Sequence, residues 1–204
     1  RSSWVTGVQT CALPILKGEF KIVYAEIARR PKIWLEPAAK ANPATVAAIM
    51  EADLVVIAPG NLYGSLAPAL VIDGIQRALR QTSARCVYVC NLVTKPGPTD
   101  DFSVVDFAGE IERLAGSEFL DYVVFNTDKP SAELMEKYAH DGELTVGYDI
   151  DELKQQHYEF RGAPILAKSV WRGAQASDPI AAARSFIRHD SDAVARQLMR
   201  IYFS

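Results

Sequence analysis

The sequence has little that would tie it to a membrane, to nucleic acid or to an oxidising compartment. No uninterrupted apolar run approaches the ~18 residues of a bilayer-spanning helix, so no membrane insertion is expected. The net charge is −3, from 22 Lys and Arg against 25 Asp and Glu. That balance gives no electrostatic reason to expect nucleic acid or an anionic membrane as partner. Cysteine is scarce, at 3 residues. Cys86 and Cys90 fall in one strand-like run, Arg85-Cys-Val-Tyr-Val-Cys-Asn91. There they would share a face about 13 Å apart, at ~3.3 Å per residue. A disulfide needs Cα atoms within about 7 Å. The two cysteines therefore read as buried small hydrophobes, and a reducing, cytoplasmic location is expected.

Familiar catalytic signatures are missing as well. There is no Gly-x-Ser-x-Gly elbow, no Cys-x-x-Cys, no His-Glu-x-x-His and no Walker loop. The 3 histidines, His140, His157 and His189, lie too far apart in sequence to argue a metal site, and none is expected. His189, inside Ile187-Arg-His-Asp190, is the most interesting of them, with an exposed surface histidine as the bland alternative. Internal repeats and low-complexity segments are absent too.

What is present suits one well-buried domain: 204 residues, 49% hydrophobic and 23% charged. The first residues stand apart. Val5-Thr-Gly-Val-Gln-Thr-Cys-Ala-Leu-Pro-Ile15 is the translation of a standard short-read sequencing adapter. Pro14 interrupts its apolar stretch, which is too short and too polar for a secretory core. Residues 1–15 are thus set aside as a non-native segment, expected to be exposed or poorly ordered with few long-range contacts. Residues 16–204 are read as a single domain entered in mid-fold.

From Lys17 onward, β-rich runs alternate with helical stretches. Phe20–Tyr24 and Lys32–Leu35 read as strands bounded by Arg-Pro and Glu-Pro. Asn42-Pro43 opens a helix, with Asn as cap and Pro at the first helical position. Asp53–Ala58, Cys86–Cys90 and Tyr122–Phe125 are short apolar runs of the kind found in parallel strands covered on both faces. Helices are expected over Val71–Arg80, Val104–Leu114, Ala132–Tyr138 and Asp192–Tyr202. A weaker strand is expected near Leu144–Val146, and another over Ala163–Ala167. The fold class predicted is α/β, a three-layer Rossmann-like sandwich with a mainly parallel sheet, incomplete at its N-terminus.

Ligands of such sheets bind at the carboxyl ends of the strands. Three polar segments fall there. In Ala58-Pro-Gly-Asn-Leu-Tyr-Gly-Ser65, Pro59 and Gly60 shape a turn in which Gly60 and Gly64 let the backbone approach a ligand. Asn61, Tyr63 and Ser65 offer donors, and a following helix would point N–H groups at an anion. Asn91-Leu-Val-Thr-Lys-Pro-Gly-Pro-Thr-Asp100 is long for a β–α connection and carries Asn91, Thr94 and Thr99. Asn126-Thr-Asp128 is the third. Loop hydrogen bonding or helix capping is the competing reading of Asn91 and Thr99, and turn stabilisation that of Asn126.

These motifs resemble the CofD/YvcK superfamily in order and in detail. The resemblance runs through Ala52–Ser65, Pro68–Ile75, Tyr88–Asp100 and Val105-Asp106. It resumes at Asn126, at Lys137-Tyr-Ala-His-Asp-Gly142 and at Ile187-Arg-His-Asp190. Leu-Tyr after the Pro-Gly and the closing Arg-His-Asp favour the YvcK branch. Departures are the absent Gly-Gly-Gly-Thr-Gly and Asp-Asp-Gly-Gly-Ser-Ser-Gly regions, Ala58 for a glycine, Asn61 for a serine, and a longer stretch between Tyr138 and Arg188. The resemblance implies a regulatory protein that binds UDP-N-acetylglucosamine and influences cell-envelope synthesis, cell shape and central carbon metabolism. It also implies Tyr138 and Arg188 as ligand contacts, with the arginine facing the diphosphate. The alternative it leaves is a CofD-like transferase moving a phosphoryl-bearing group of the 2-phospho-lactyl type with Mg2+; otherwise no cofactor is implied. Self-association is left open. Lacking the glycine loop, the chain as written is expected to bind weakly and to aggregate, while the intact gene product binds UDP-N-acetylglucosamine.

Overall fold

The computed structural model describes residues 6–9, 16–17, 30–140, 142–167 and 187–204. The expected strand Phe20–Tyr24 lies outside them, as do Trp4 and Leu13. Near the start, β1 (Thr6–Gln9) pairs antiparallel with both β2 (Leu16–Lys17) and β3 (Lys32–Leu35). The expectation of few long-range contacts over residues 1–15 is therefore not met at Thr6–Gln9. The physical reason is that an extended edge offers unpaired backbone N–H and C=O groups that any extended segment can meet.

Asn42 caps α1 (Pro43–Glu51), its Oδ1 accepting from the Ala44 N–H at 2.9 Å, with Pro43 at the first helical position as its sequence indicates. The chain then builds a parallel sheet. After β4 (Leu54–Ile57) come a π-helical turn (Leu62–Leu66), the short α2 (Ala67–Leu70) and α3 (Asp73–Gln81). Next are β5 (Arg85–Val89), α4 (Val104–Ala115) and β6 (Tyr122–Asn126). α5 (Ala132–His140), α6 (Ile150–Leu153), β7 (Glu159–Ala163) and α7 (Ser191–Tyr202) complete the order. The sheet runs β4-β5-β6-β7, all parallel. The predicted strands over 53–58, 86–90 and 122–125 are thus neighbours, as expected.

Alternation along β5 and β6 supplies both core faces. Val87, Val89 and Val124 point to one side, where Ala193 and Ile201 of α7 pack on them. Tyr88, Val123 and Phe125 point to the other, against Phe107, Ile111 and Leu114 of α4. α4 is held at both ends: Ser103 and Asp106 form a reciprocal capping box, and Gly116 closes it at φ 73°, a backbone that favours glycine.

Two expected strands differ. Leu144–Val146 forms only an isolated antiparallel bridge, Val93 to Thr145. The last strand is Glu159–Ala163, not Ala163–Ala167. Its pattern is mostly exposed, because among the described strands it has β6 as its one neighbour and is covered on little of its length. The apolar run after it, Ile165 and Leu166, turns back instead to meet His189 and Asp190.

Candidate functional site

The three polar segments come to the carboxyl edge of the sheet, and Asn91 joins two of them. Its Nδ2 donates to the Gly60 carbonyl at 2.9 Å, and its Oδ1 accepts from the Tyr88 hydroxyl at 3.0 Å. On one side of Asn91 lies a cavity of about 630 Å³ whose walls include Val104, Phe125, Asn126, Met135 and Tyr148. On the other lies a smaller one of about 170 Å³, lined by Asn61, Tyr63, Lys95, Pro98 and Thr99 among others. The result is a cleft of two lobes with Asn91 between them.

Each lobe is built from internally satisfied loops. Asn61 caps the π-helical turn, its Oδ1 accepting from the Gly64 N–H at 2.7 Å. Neither Gly60 nor Gly64 takes a left-handed backbone. A Cβ at Gly60 would meet the Leu66 side chain at 3.4 Å, an ordinary contact, so the turn itself does not demand glycine there. Pro59 and Ser65 are exposed. Tyr63 is buried, and its hydroxyl donates to Glu110 Oε1 at 2.8 Å. Burial first, and then the neighbouring Glu110 carboxylate, push its phenol well above the usual range. Glu110 in turn receives two hydrogen bonds from Arg113, at 2.6 and 2.7 Å. Tyr63 therefore locks the turn to α4 through its hydroxyl.

In the second segment, Thr94 is buried and exchanges two hydrogen bonds with Leu144: its N–H donates to the Leu144 carbonyl at 2.7 Å and its Oγ1 accepts from the Leu144 N–H at 3.1 Å. Thr99 Oγ1 accepts from the Lys95 N–H at 2.7 Å and donates to the Lys95 carbonyl at 3.2 Å, cinching the loop. Lys95 forms an ion pair with Glu143. Asn126 Oδ1 accepts from the Asp128 and Ile165 N–H groups at 3.2 and 3.3 Å, and its Nδ2 donates to the Asp128 carbonyl at 2.7 Å. Thr94, Thr99 and Asn126 thus spend these polar atoms on loop backbone, while Asn126 also lines the larger lobe and Thr99 the smaller.

Tyr138 and Arg188, the two further contacts that the resemblance implies, line neither lobe; Tyr138 packs with Leu92 and Ile187. The Tyr138 hydroxyl, in a buried ring, accepts from the Ile187 N–H at 3.0 Å. Arg188 is exposed, its carbonyl accepting from the Ala167 N–H at 2.9 Å. His189 sits next to it, with Nε2 3.0 Å from the Cys90 carbonyl. Because a carbonyl only accepts, Nε2 carries the proton. Burial lowers the imidazole pKa from its ordinary value, which favours the neutral ring. Cys90, at the foot of Asn91, is itself pushed up to about 12 by burial.

Several walls of the site carry no sequence signal. Phe125, Met135, Val146 and Tyr148 are apolar or aromatic residues that sequence spacing assigns to core or loop. Among the described residues, no three His, Cys, Asp or Glu side chains come together to hold a metal ion, and no helix is long and apolar enough to cross a membrane.

Comparison with known proteins agrees with the motifs. A gluconeogenesis factor from Bacillus subtilis is 31% identical over 157 residues, covering 77% of this chain and 45% of that protein. Proteins named "Putative gluconeogenesis factor" from Thermotoga maritima and Clostridium acetobutylicum are 33% and 36% identical, covering 83% and 82% of this chain. The chain spans 50% and 34% of their respective lengths. A crystal structure of a UPF0052 family member from Bacillus halodurans superposes with a TM-score of 0.81 at 26% identity, over 97% of this chain and 59% of that one. The sequence profile of the family described as 2-phospho-L-lactate transferase CofD matches residues 3–166, and this chain therefore belongs to the CofD/YvcK family.

Proposed function

We propose that the two-lobed cleft binds a nucleotide-sugar of the UDP-N-acetylglucosamine type. In this reading the chain is the ligand-sensing part of a cytoplasmic regulator of cell-envelope synthesis, cell shape and central carbon metabolism. The observation that carries it is the Asn91 bridge, which fixes a larger lobe walled by Phe125 and Tyr148 beside a smaller one that holds Asn61, Lys95 and Thr99, at the carboxyl edge of a parallel sheet. A nucleoside joined to a sugar through a diphosphate has that same alternation of planar ring and polar groups. The name gluconeogenesis factor among the relatives supports a link to carbon metabolism.

In this reading the Asn61 cap and the turn behind it approach the diphosphate, and Arg188 supplies charge-assisted hydrogen bonds from the side. Tyr138 holds the Ile187 backbone next to Arg188. Binding is proposed ahead of the transferase activity in the family's description because the relatives that match most of this chain are named gluconeogenesis factors. Ligand-observed saturation-transfer NMR of the 204-residue chain with millimolar UDP-N-acetylglucosamine tests the binding reading, because it reads weak affinities. Transfer of saturation to the nucleotide-sugar, displaced by UDP, is the expected result. No transfer to any nucleotide-sugar would sink it. Incubating the same samples with Mg2+ and analysing for products separates a binder from an enzyme.

A further inference from the structure

The larger lobe has an aromatic wall that none of the motifs includes. Tyr148 is 43% exposed, although its neighbour Phe125 is fully buried. The two rings pack with centroids 4.6 Å apart at an interplanar angle of 51°, so one side of Tyr148 is supported. Its backbone is pinned on both flanks. The Val146 N–H donates to the Leu92 carbonyl at 3.0 Å, and the Gly147 carbonyl accepts from the Val104 N–H at 2.9 Å. On the other side, Asp149 caps α6, its Oδ1 accepting from the Asp151 N–H at 2.7 Å. A large ring held this firmly and left this open is a preformed surface, with little entropy to lose when something lies on it.

Charge, size and shape together say what that something is. Asp128 and Lys129 both line it, so its fixed charge is balanced and an anion gains little there. The smaller lobe is lined by one charged side chain, Lys95, whose ammonium is already paired with Glu143. Neither wall carries an unpaired net charge, so size and shape decide: the larger lobe, at about 630 Å³ and with the exposed Tyr148 ring, takes a neutral planar ring where the smaller, at about 170 Å³, has little room. Asp128 also offers a carboxylate acceptor to the ring N–H groups that nucleobases carry at their edges. We propose that Tyr148 is the stacking platform for the nucleobase and that the larger lobe is the base subsite, which makes the site selective for nucleotide-sugars over simple sugar phosphates. This assignment rests on the nucleotide-sugar reading of the same cleft.

The test uses the 204-residue chain with UDP-N-acetylglucosamine, uridine and N-acetylglucosamine 1-phosphate as probes. Saturation should be strongest on the uracil protons. Stacking on an aromatic side chain predicts that Tyr148→Ala weakens UDP-N-acetylglucosamine and uridine roughly 5- to 150-fold. Binding of N-acetylglucosamine 1-phosphate should stay unchanged, and Tyr148→Trp should keep the affinity for all three. Unchanged affinity for UDP-N-acetylglucosamine in Tyr148→Ala overturns the assignment, as does an equal loss of the sugar phosphate. Should that variant fail to fold, the wild-type pattern decides, and strongest saturation on the sugar protons overturns it. If wild type binds none of the probes, the nucleotide-sugar reading itself falls, an outcome distinct from binding that ignores Tyr148.

Discussion

The Asn91 side-chain amide donates to the Gly60 carbonyl at 2.9 Å, so the loop after β5 holds the loop after β4 at a fixed spacing. The same side chain accepts from the hydroxyl of the fully buried Tyr88. Asn91→Ala removes both interactions, at an expected cost of about 1–3 kcal/mol for buried polar groups losing a partner. Asn91→Asp should do worse, because a carboxylate cannot donate to Gly60 and would face its carbonyl oxygen. Both variants should bind UDP-N-acetylglucosamine at least about tenfold more weakly, the 1.4 kcal/mol lower part of that range. Urea unfolding and ligand titration on the same samples check this. Wild-type stability in Asn91→Ala would show that the bridge does not order the loops.

Tyr138 and Arg188 should separate in their effects, since one is buried and the other exposed. Tyr138→Phe keeps the ring and removes the oxygen that accepts from Ile187, leaving a buried N–H without it. The expected loss is about 1–3 kcal/mol of stability, together with weaker binding because Arg188 is no longer fixed. Arg188→Ala should change stability by less than about 0.5 kcal/mol, as surface substitutions usually do, yet weaken binding at least as much. Calorimetric titration beside urea unfolding reads both. If Tyr138→Phe loses stability while binding stays intact, the tyrosine has no part in placing Arg188.

The sequence made the central sheet legible for a simple reason. Leu54–Ile57, Arg85–Val89 and Tyr122–Asn126 lie in short apolar runs, and such runs serve strands with helices on both sides. β7 escaped because it carries Glu159, Arg161 and Gly162 on a half-covered strand, which reads as loop. β1 pairs through its backbone, and backbone pairing leaves no side-chain pattern to find. The gathering of Gly60, Asn91 and Asn126 at one edge of the sheet was legible too, because each follows an expected strand. Their roles were not. Asn126, Thr94 and Thr99 spend their polar atoms on neighbouring loop backbone, while the walls are formed by residues such as Phe125 and Tyr148 that look like ordinary core.

Two glycines should respond oppositely to alanine. Gly162 lies beside Phe125 in the β6–β7 register, and a Cβ there would meet Phe125 Cζ and Thr127 Cγ2 at 2.9 Å each. Gly162→Ala should therefore cost about 1–3 kcal/mol by overpacking and should tilt the ring that supports Tyr148. Gly109, in the interior of α4, has nothing within 4 Å of such a Cβ. Gly109→Ala should stabilise by about 0.4–1 kcal/mol through lower unfolded-chain entropy and better helix propensity. Thermal unfolding midpoints of the two variants should lie on opposite sides of wild type, and a stabilised Gly162→Ala would contradict the packing at Phe125.

Stability should fall at both ends of the pH scale, for separate reasons. Burial pushes the Cys86 and Cys90 thiols up to about 11 and about 12, with Asp121 adding to the rise at Cys86. An unfolded thiol ionises near ~8.5. Above that pH the unfolded chain releases protons that the folded chain keeps, so stability is full below about pH 8.5 and declines as pH climbs toward the folded values. The decline should reach about 1.4 kcal/mol per pH unit for each thiol. At the acid end His189 is the opposite case. Its folded pKa is lowered by burial, so the contribution is present above the unfolded value of ~6.5 and is lost as pH falls through the folded one. Urea midpoints measured from pH 5 to pH 10 should show a plateau near neutrality. Cys90→Ala should flatten the alkaline limb alone, and His189→Gln the acid limb alone. An alkaline limb that keeps its full slope in the double variant Cys86→Ala/Cys90→Ala would mean that groups other than the buried thiols drive it.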